Sequence, residues 1–241
     1  MTKMFQTDWV TENFGSPIEN YIPDYAYFLG SLIKLTKRKI IVEIGVGLGQ
    51  STYIFCLSAR QCGGNVYGFD FWQIRSLQQV DQILKELKCD NYILHNINTQ
   101  TQEFKTLIQT QFESIDFAFI DGDHSYSGVC NDFFTIYPKL ADDGIIALHD
   151  TVTSDGCREF IFDLRTKFYD GTYDIIDIPF GYNTRRVGLS LLVKRAMPNI
   201  TFKHKEDNDG SPHTFEQIKS FEKEWYNAEV EKYKKEISGK I

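Results

Sequence analysis

Short apolar runs alternate along the chain with longer segments in which apolar residues recur every three or four positions. The short runs are rich in β-branched and aromatic residues and predict strands, whereas the longer segments have the periodicity of amphipathic helices. The predicted strands are Lys39–Ile44, Asn65–Asp70, Tyr92–His95, Ile115–Asp121, Ile145–Asp150, Tyr173–Ile178 and Leu189–Lys194. The predicted helices are Asp24–Thr36, Ser51–Gln61, Leu77–Leu87, Thr101–Gln111, Val129–Leu140 and Cys157–Phe168. This alternation is typical of an α/β fold built on a parallel sheet.

The last two predicted strands differ from the others because the segment between them, which contains GYNTRRVG, is too short for a helical crossover. They are therefore expected to pair antiparallel. The predicted architecture is a doubly wound, mostly parallel seven-stranded sheet with a final antiparallel strand. We expect residues 39–195 to form this core, residues 1–38 a helical, aromatic-rich segment that caps the site, and residues 196–241 a helical extension.

The composition is that of a folded globular protein, since 42% of the 241 residues are hydrophobic and 24% are charged. A net charge of −7 argues against non-specific binding to nucleic acid or to an anionic membrane, because both need a basic excess. The five cysteines are odd in number and lack C-x-x-C spacing, which indicates reduced thiols. Without an apolar signal-peptide core or a run of about 18 apolar residues, a soluble cytoplasmic protein is expected.

A glycine-rich turn follows the first predicted strand, in the segment VEIGVGLGQS. Gly45, Gly47 and Gly49 occupy alternate positions before a predicted helix, so the backbone can turn sharply and come close to a ligand. The spacing differs from the dinucleotide fingerprint G-x-G-x-x-G. The acidic Glu43 beside the turn suits a cationic ligand better than a pyrophosphate.

A carboxylate, Asp70, ends the second predicted strand and lies 21 residues after Gly49. At that place in an α/β sheet a carboxylate can accept hydrogen bonds from both ribose hydroxyls. Phe71 and Trp72 follow directly and are placed to stack on an adenine. An adenosine that carries a positive charge near the glycine turn describes S-adenosylmethionine.

A second group of polar residues follows the fourth and fifth predicted strands, in IDGDHSY and ALHDT. Both segments lie at the carboxyl edge of the sheet, on the same side as the glycine turn. Their ionisable residues need either a cation or water to offset burial, and carboxylates from neighbouring strand ends suit Mg²⁺ or Mn²⁺. The first segment also carries Asp123 and His124, either of which could act as a general base. His124 is favoured because its ordinary pKa is close to physiological pH.

These segments carry a family resemblance. VEIGVGLGQS together with FDFW resembles the cofactor half of class I S-adenosylmethionine-dependent methyltransferases, and the later segments resemble metal-dependent small-molecule O-methyltransferases. The resemblance implies a Rossmann-like methyltransferase fold and S-adenosylmethionine as cofactor. Glu43, Phe71, Trp72 and Asp121 are further residues predicted at the cofactor. The resemblance implies Gly45, Gly47 and Gly49 around the aminopropyl-carboxylate, Asp70 on the ribose, and Asn98 and Thr99 near the adenine. It also makes Asp121 and Asp150 metal ligands, with His149 as the third candidate where relatives have a carboxylate or Asn.

The expected function is methyl transfer to a hydroxyl of a small molecule, sugar-like or phenolic, helped by a divalent cation and a general base. One alternative is a metal-independent or non-catalytic binding protein with the same fold. Another is an NAD-dependent oxidoreductase, against which the glycine spacing argues. No nucleic-acid or membrane partner is expected, and a homo-oligomer is left open.

Overall fold

The structure, a computed structural model, describes residues 22–71, 76–182 and 185–196. The described residues up to Arg195 belong to one compact unit. Trp72, the aromatic residues before position 22 and the predicted C-terminal helical extension lie outside the described residues. The predicted division into domains therefore stays a prediction.

Six α-helices and nine strands make up the described part of the chain. The helices are α1 (Asp24–Leu35), α2 (Gln50–Arg60), α3 (Leu77–Glu86), α4 (Gln102–Gln111), α5 (Tyr126–Ile136) and α6 (Asp155–Arg165). The strands are β1 (Ile40–Ile44), β2 (Asn65–Asp70), β3 (Tyr92–Asn96), β4 (Ile115–Ile120), β5 (Leu140–His149), β6 (Tyr173–Ile178), β7 (Gly181–Tyr182), β8 (Arg185–Arg186) and β9 (Leu189–Lys194).

Seven of these strands form one sheet in the order β3-β2-β1-β4-β5-β9-β6. The first five pair in parallel, and β9 runs antiparallel to both β5 and β6. The predicted seven-stranded, mostly parallel sheet with a final antiparallel strand is confirmed. The short strands β7 and β8 form a separate antiparallel hairpin within the segment that links β6 to β9.

The core has two layers, one on each face of the sheet, because side chains alternate between faces along a strand. In β4, Phe117 and Phe119 face one layer and Ala118 and Ile120 face the other. Helices α1, α2 and α3 contribute buried residues to the first layer, and α4, α5 and α6 contribute to the second. Both faces are therefore covered, as a doubly wound sheet requires.

Helix α5 begins and ends earlier than the predicted Val129–Leu140. It begins at Tyr126 because the Ser125 hydroxyl accepts a hydrogen bond from the Gly128 N–H at 3.0 Å, which caps its first turn. It ends at Ile136, where a short 3₁₀ turn containing Pro138 takes over. The earlier start brings the helix to within two residues of His124, at the carboxyl edge of the sheet.

In the part of the chain that the structure describes, none of the helices has the length and apolar character needed to cross a lipid bilayer.

Candidate active site

A cavity of about 760 Å³ opens at the carboxyl edge of the sheet, where the parallel strands end. This is the location expected for a ligand in an open α/β sheet, and the size suits a small molecule. The predicted site residues that line it are Gly45, Gly47, Asp70, Phe71, Asn98, Thr99, Asp121, Asp123, His124, His149 and Asp150. Glu43 and Gly49 lie outside its lining. The roles assigned to all these residues stay predictions.

The glycine turn after β1 needs glycine for two different reasons. Gly45 has φ +85°, and a Cβ on it would lie 2.1 Å from the carbonyl oxygen of Asp121, so only glycine lets the ends of β1 and β4 come this close. Gly47 has φ +55°, but a Cβ there would meet nothing within 4 Å. A ligand in the cavity can therefore approach the backbone at Gly47.

Asp70 at the end of β2 is bonded to this turn. Its Oδ2 accepts a hydrogen bond from the backbone N–H of Gly47 at 2.7 Å. The contact fixes the carboxylate beside the glycine turn, and both residues line the cavity.

Glu43 is fully buried beneath the turn. Its Oε1 accepts from the Ser51 hydroxyl at 2.5 Å and its Oε2 from the Thr52 hydroxyl at 2.6 Å, both in the first turn of α2. Burial raises the pKa of Glu43 to about 8 despite these hydrogen bonds. Its carboxyl group thus joins β1 to α2 instead of lining the cavity as a charge beside a cationic ligand.

The loop after β3 forms the other end of the cavity, with Ile97, Asn98, Thr99 and Gln100 in its lining. Asn98 Oδ1 accepts from the Gln100 N–H at 2.9 Å, which holds the loop in a turn. Helix α5 supports the loop from behind, since Asn131 Nδ2 donates to the carbonyl oxygen of Thr99 at 2.8 Å.

Two carboxylates and two imidazoles meet where β4 and β5 end. His124 Nε2 lies 3.1 Å and His149 Nδ1 lies 3.0 Å from Asp121 Oδ1. His124 Nδ1 lies 3.4 Å and His149 Nδ1 lies 3.6 Å from Asp150 Oδ2. The distances at His149 are those of ion pairs, although its ring is not aligned for a hydrogen bond. This group of four residues is called the carboxylate–histidine cluster below.

The charges in the cluster stabilise one another. Burial alone would lower the pKa of His149, but the carboxylates of Asp121 and Asp150 outweigh it and raise the pKa to about 10. Burial alone would raise the pKa of Asp150, but His149 and Thr153 lower it to about 2. Hydrogen bonding to Asp121 raises the pKa of His124 as well. Ionised carboxylates at neutral pH therefore face imidazole rings that hold protons readily.

Aromatic rings surround His149. The ring of Tyr25, from α1, lies 4.3 Å from the His149 ring between centroids, and Phe119 lies 6.0 Å away on β4. Tyr25 also lines the cavity. The sequence indicated only that aromatic residues before the sheet could cover the site, because no local pattern pairs a residue in α1 with the end of β5.

The loop that carries His124 is packed tightly against the start of α6. A Cβ on Gly156 would lie 2.4 Å from the carbonyl oxygen of His124, and the Ser154 hydroxyl donates to that oxygen at 3.0 Å. Asp123 Oδ1 accepts from the Ser125 N–H at 2.9 Å, so this carboxylate also helps to shape the loop. These contacts hold His124 at the cavity wall.

The cluster can also supply metal ligands. Asp121, His124 and Asp150 each offer one donor atom, and these atoms lie within 4.8 Å of one another. The set differs from the predicted Asp121, His149 and Asp150, because it includes His124, the favoured base. Two carboxylates and an imidazole are suitable ligands for a divalent cation, so these residues fit the metal ion that the resemblance implies.

Comparison with known proteins agrees with the fold. Residues 42–151, which contain both the glycine turn and the carboxylate–histidine cluster, match a family model described as a methyltransferase domain. A comparison with curated protein sequences found no significant match.

Solved structures with the same fold include two O-methyltransferases. TomG from Streptomyces achromogenes, involved in tomaymycin synthesis and solved in complex with SAM, is 14% identical, with 80% of this chain and 92% of that chain covered and a TM-score of 0.62. An O-methyltransferase from Bacillus cereus in complex with SAH is 16% identical, with 80% and 94% covered and a TM-score of 0.60. The resemblance predicted from the sequence is therefore confirmed: this chain resembles the class I S-adenosylmethionine-dependent methyltransferases, and its fold is like that of their O-methyltransferase branch.

Proposed function

We propose that this chain transfers the methyl group of S-adenosylmethionine to a hydroxyl of a small molecule, with a divalent cation bound at the carboxylate–histidine cluster. One observation carries the proposal: the glycine turn, Asp70 and the cluster line a single cavity. A nucleoside bound at the glycine turn and Asp70 would be within reach of an acceptor bound at the cluster.

The residues at the glycine turn fit the methyl donor. Gly47 leaves its backbone open to the cavity, and Asp70 is held beside it by a hydrogen bond. In a sheet of this type a carboxylate at the end of β2 binds ribose hydroxyls.

His124 is the best candidate for the base. It lines the cavity and is partly exposed, so an acceptor hydroxyl can reach it. Its Nε2 lies 3.1 Å from Asp121 and its Nδ1 lies 3.4 Å from Asp150, so both carboxylates stabilise the imidazolium that forms when His124 takes the acceptor's proton. The protein otherwise contributes positioning, because methyl transfer needs the oxygen in line with the donor's carbon–sulfur bond.

Asp121, His124 and Asp150 would hold the cation. When bound, it lowers the pKa of the acceptor hydroxyl and stabilises the negative charge that develops there. The imidazole in this donor set favours a borderline ion such as Mn²⁺ over Mg²⁺, which prefers oxygen ligands. Since His124 is both a candidate ligand and a candidate base, the two roles are alternatives for this residue and Asp123 is the remaining base.

The acceptor is a flat or ring-shaped molecule, sugar-like or phenolic. Tyr25 adds an aromatic ring surface to the cavity wall beside the cluster. Such surfaces favour aromatic rings and the apolar faces of sugars.

Calorimetric titration with S-adenosylhomocysteine, followed by methyl-transfer assays on a panel of phenols and sugars, tests the proposal. Binding together with transfer to at least one hydroxyl supports it. Absence of binding at millimolar nucleoside contradicts it. Binding without transfer to any acceptor, with or without Mn²⁺, favours a non-catalytic binding protein.

A further inference from the structure

One member of the carboxylate–histidine cluster has an unusual backbone conformation. Asp150, directly after β5, has φ +55°, in the left-handed region that a residue with a Cβ adopts only at a cost. Lys37, Lys88 and Asp143 are the other described residues with a side chain that have a positive φ, and none of them lines the cavity. The strained residue at the site therefore calls for a reason of its own.

This conformation explains how two consecutive residues both reach the cluster. His149 ends β5 with its ring beside Tyr25 and Phe119, and an extended residue after it would direct its side chain to the opposite face of the sheet. The left-handed turn at Asp150 instead brings its Oδ2 to 3.6 Å from His149 Nδ1 and to 3.4 Å from His124 Nδ1. The place of this carboxylate in the cluster thus depends on the backbone that carries it.

Hydrogen bonds within the loop after β5 close the turn. The carbonyl oxygen of Asp150 accepts from the Ser154 N–H at 2.9 Å, and its Oδ1 accepts from the Thr153 hydroxyl at 2.6 Å. Both donors belong to the loop itself, so these bonds set the shape of the turn. They do not fix its position against the sheet, which requires a contact with another strand.

Ser190 on β9 makes such a contact. Thr151, directly after Asp150, is buried, and its Oγ1 lies 3.1 Å from the hydroxyl oxygen of Ser190. Ser190 is only 1% exposed, and its hydroxyl oxygen also lies 2.7 Å from Asp177 Oδ1 on β6. The other carboxylate oxygen of Asp177 lies 2.8 Å from Arg165 Nη2. A line of polar contacts therefore runs from β6 through β9 to the turn.

The chemistry of these groups sets the direction of the hydrogen bonds. The carboxylate of Asp177, paired with Arg165, can only accept, and Ser190 has a single hydroxyl proton to donate. Both bonds form together only if Ser190 donates to Asp177 and accepts from the hydroxyl of Thr151. Thr151 is thus held by an acceptor whose own orientation is set from β6.

We infer that Ser190 is a positioning residue: by accepting a hydrogen bond from Thr151, it holds the turn in which Asp150 directs its carboxylate into the carboxylate–histidine cluster. The inference rests on the proposed function, since the cluster is the proposed cation site. It places a determinant of cation affinity on β9, at a residue that does not line the cavity.

Calorimetric titration of the protein with Mn²⁺ alone tests the inference without turnover. Ser190→Ala and Thr151→Val each remove the hydrogen bond between the two hydroxyls. We expect each to weaken Mn²⁺ binding roughly three- to tenfold, the effect of one buried hydrogen bond. Thr151→Ser keeps the hydroxyl and should bind Mn²⁺ within about twofold of the wild type.

A double variant distinguishes positioning of Asp150 from a general loss of structure. Asp150→Gly lacks the carboxylate and adopts a positive φ without strain. Because Ser190 acts through that carboxylate, adding Ser190→Ala to Asp150→Gly should change the Mn²⁺ affinity less than about twofold. A loss as large as in the wild-type background overturns the inference.

Tyr173→Phe is the matched control. The Tyr173 hydroxyl on β6 donates a buried 2.6 Å hydrogen bond to the carbonyl oxygen of Leu164, which is not among the contacts that hold Asp150. Its removal should lower the unfolding temperature, as Ser190→Ala does, but leave the Mn²⁺ affinity unchanged. An equal loss of affinity in Tyr173→Phe overturns the inference.

Thermal unfolding of each variant identifies those that fail to fold, and Thr151→Val keeps the inference testable if Ser190→Ala is one of them. An unchanged Mn²⁺ affinity in a folded Ser190→Ala or Thr151→Val variant overturns the inference and leaves the proposed function standing. Failure of the wild type to bind Mn²⁺ instead overturns the cation of the proposed function, on which the inference rests.

Discussion

The backbone N–H of Gly47 donates a 2.7 Å hydrogen bond to Oδ2 of Asp70, which joins the turn after β1 to the end of β2. The hydrogen bond fixes the orientation of the carboxylate that is proposed to bind ribose.

Removing this carboxylate should weaken nucleoside binding. We expect Asp70→Ala to lower the affinity for S-adenosylhomocysteine at least about tenfold, since hydrogen bonds to a charged group contribute roughly 1.5–3 kcal/mol. Calorimetry measures the effect. Asp90→Ala, which removes an exposed carboxylate outside the cavity, should bind like the wild type, and equal affinity in the two variants would contradict the role of Asp70.

Alanine at Gly45 and at Gly47 should have different effects. At Gly45 the new Cβ collides with the backbone of Asp121 and the residue has a positive φ, so we expect a loss of at least about 2 kcal/mol of unfolding free energy. At Gly47 only the positive φ remains, at about 1 kcal/mol, but the methyl group enters space that a ligand needs. Chemical denaturation measures the loss of stability and calorimetry measures the loss of ligand binding, so together they distinguish the two effects. A Gly47→Ala protein that binds S-adenosylhomocysteine as well as the wild type would show that the ligand does not approach this backbone.

Chelation tests whether methyl transfer needs a divalent cation. We expect EDTA to abolish methyl transfer, and Mn²⁺ to restore it at lower concentration than Mg²⁺, because the donor set includes an imidazole. Asp150→Asn should raise the Mn²⁺ concentration required at least about tenfold, whereas Asp155→Asn, on the exposed first turn of α6, should leave it unchanged. Turnover that persists in EDTA would mean that the protonated histidines of the cluster neutralise its carboxylates during the reaction and that no cation is needed.

Glu43 should make the stability of the protein depend on pH. Burial raises its pKa from 4.5 in the ordinary state to about 8 in the folded protein, so the folded state holds a proton that the unfolded state releases between these values. The contribution of this proton to the free energy of unfolding is complete below pH 4.5 and is lost as pH rises towards 8. Over this range the free energy of unfolding falls by at most about 1.4 kcal/mol per pH unit. Denaturation of Glu43→Gln from pH 5 to 8 should show a smaller decline than the wild type. A wild-type curve that rises over this range would refute the assignment.

Local patterns in the sequence predict the sheet, the glycine turn and the strand-end carboxylates, because each depends on a few neighbouring residues. Contacts between distant segments are not predictable in this way: nothing near Tyr25 indicates that its ring packs on His149. For Glu43, the direction of the side chain is not predictable from its place in the sequence. Its proximity to the turn suggests a charge near the ligand, but side chains alternate along β1, and its carboxyl group is directed into α2.

Asp132, on α5, is fully buried, and the sequence does not predict this because a polar residue within a helix is usually exposed to solvent. Its burial becomes evident only when α5 is packed behind the loop after β3. The sequence predicts His124 as a site residue, but its contact with Asp150 depends on how β4 and β5 end beside each other.

The place of β9 in the sheet has a consequence for biosynthesis. Among the described strands, β6 pairs only with β9, and β9 separates it from β5. As the chain emerges from a ribosome, β1 to β5 can assemble on the part already made. Strand β6 is synthesised earlier than β9 but has no partner until residues 189–194 have emerged. A nascent chain that stalls before this point leaves β6 and one edge of β5 unpaired. Completion of the described sheet is therefore tied to β9, the last of the described strands to be translated.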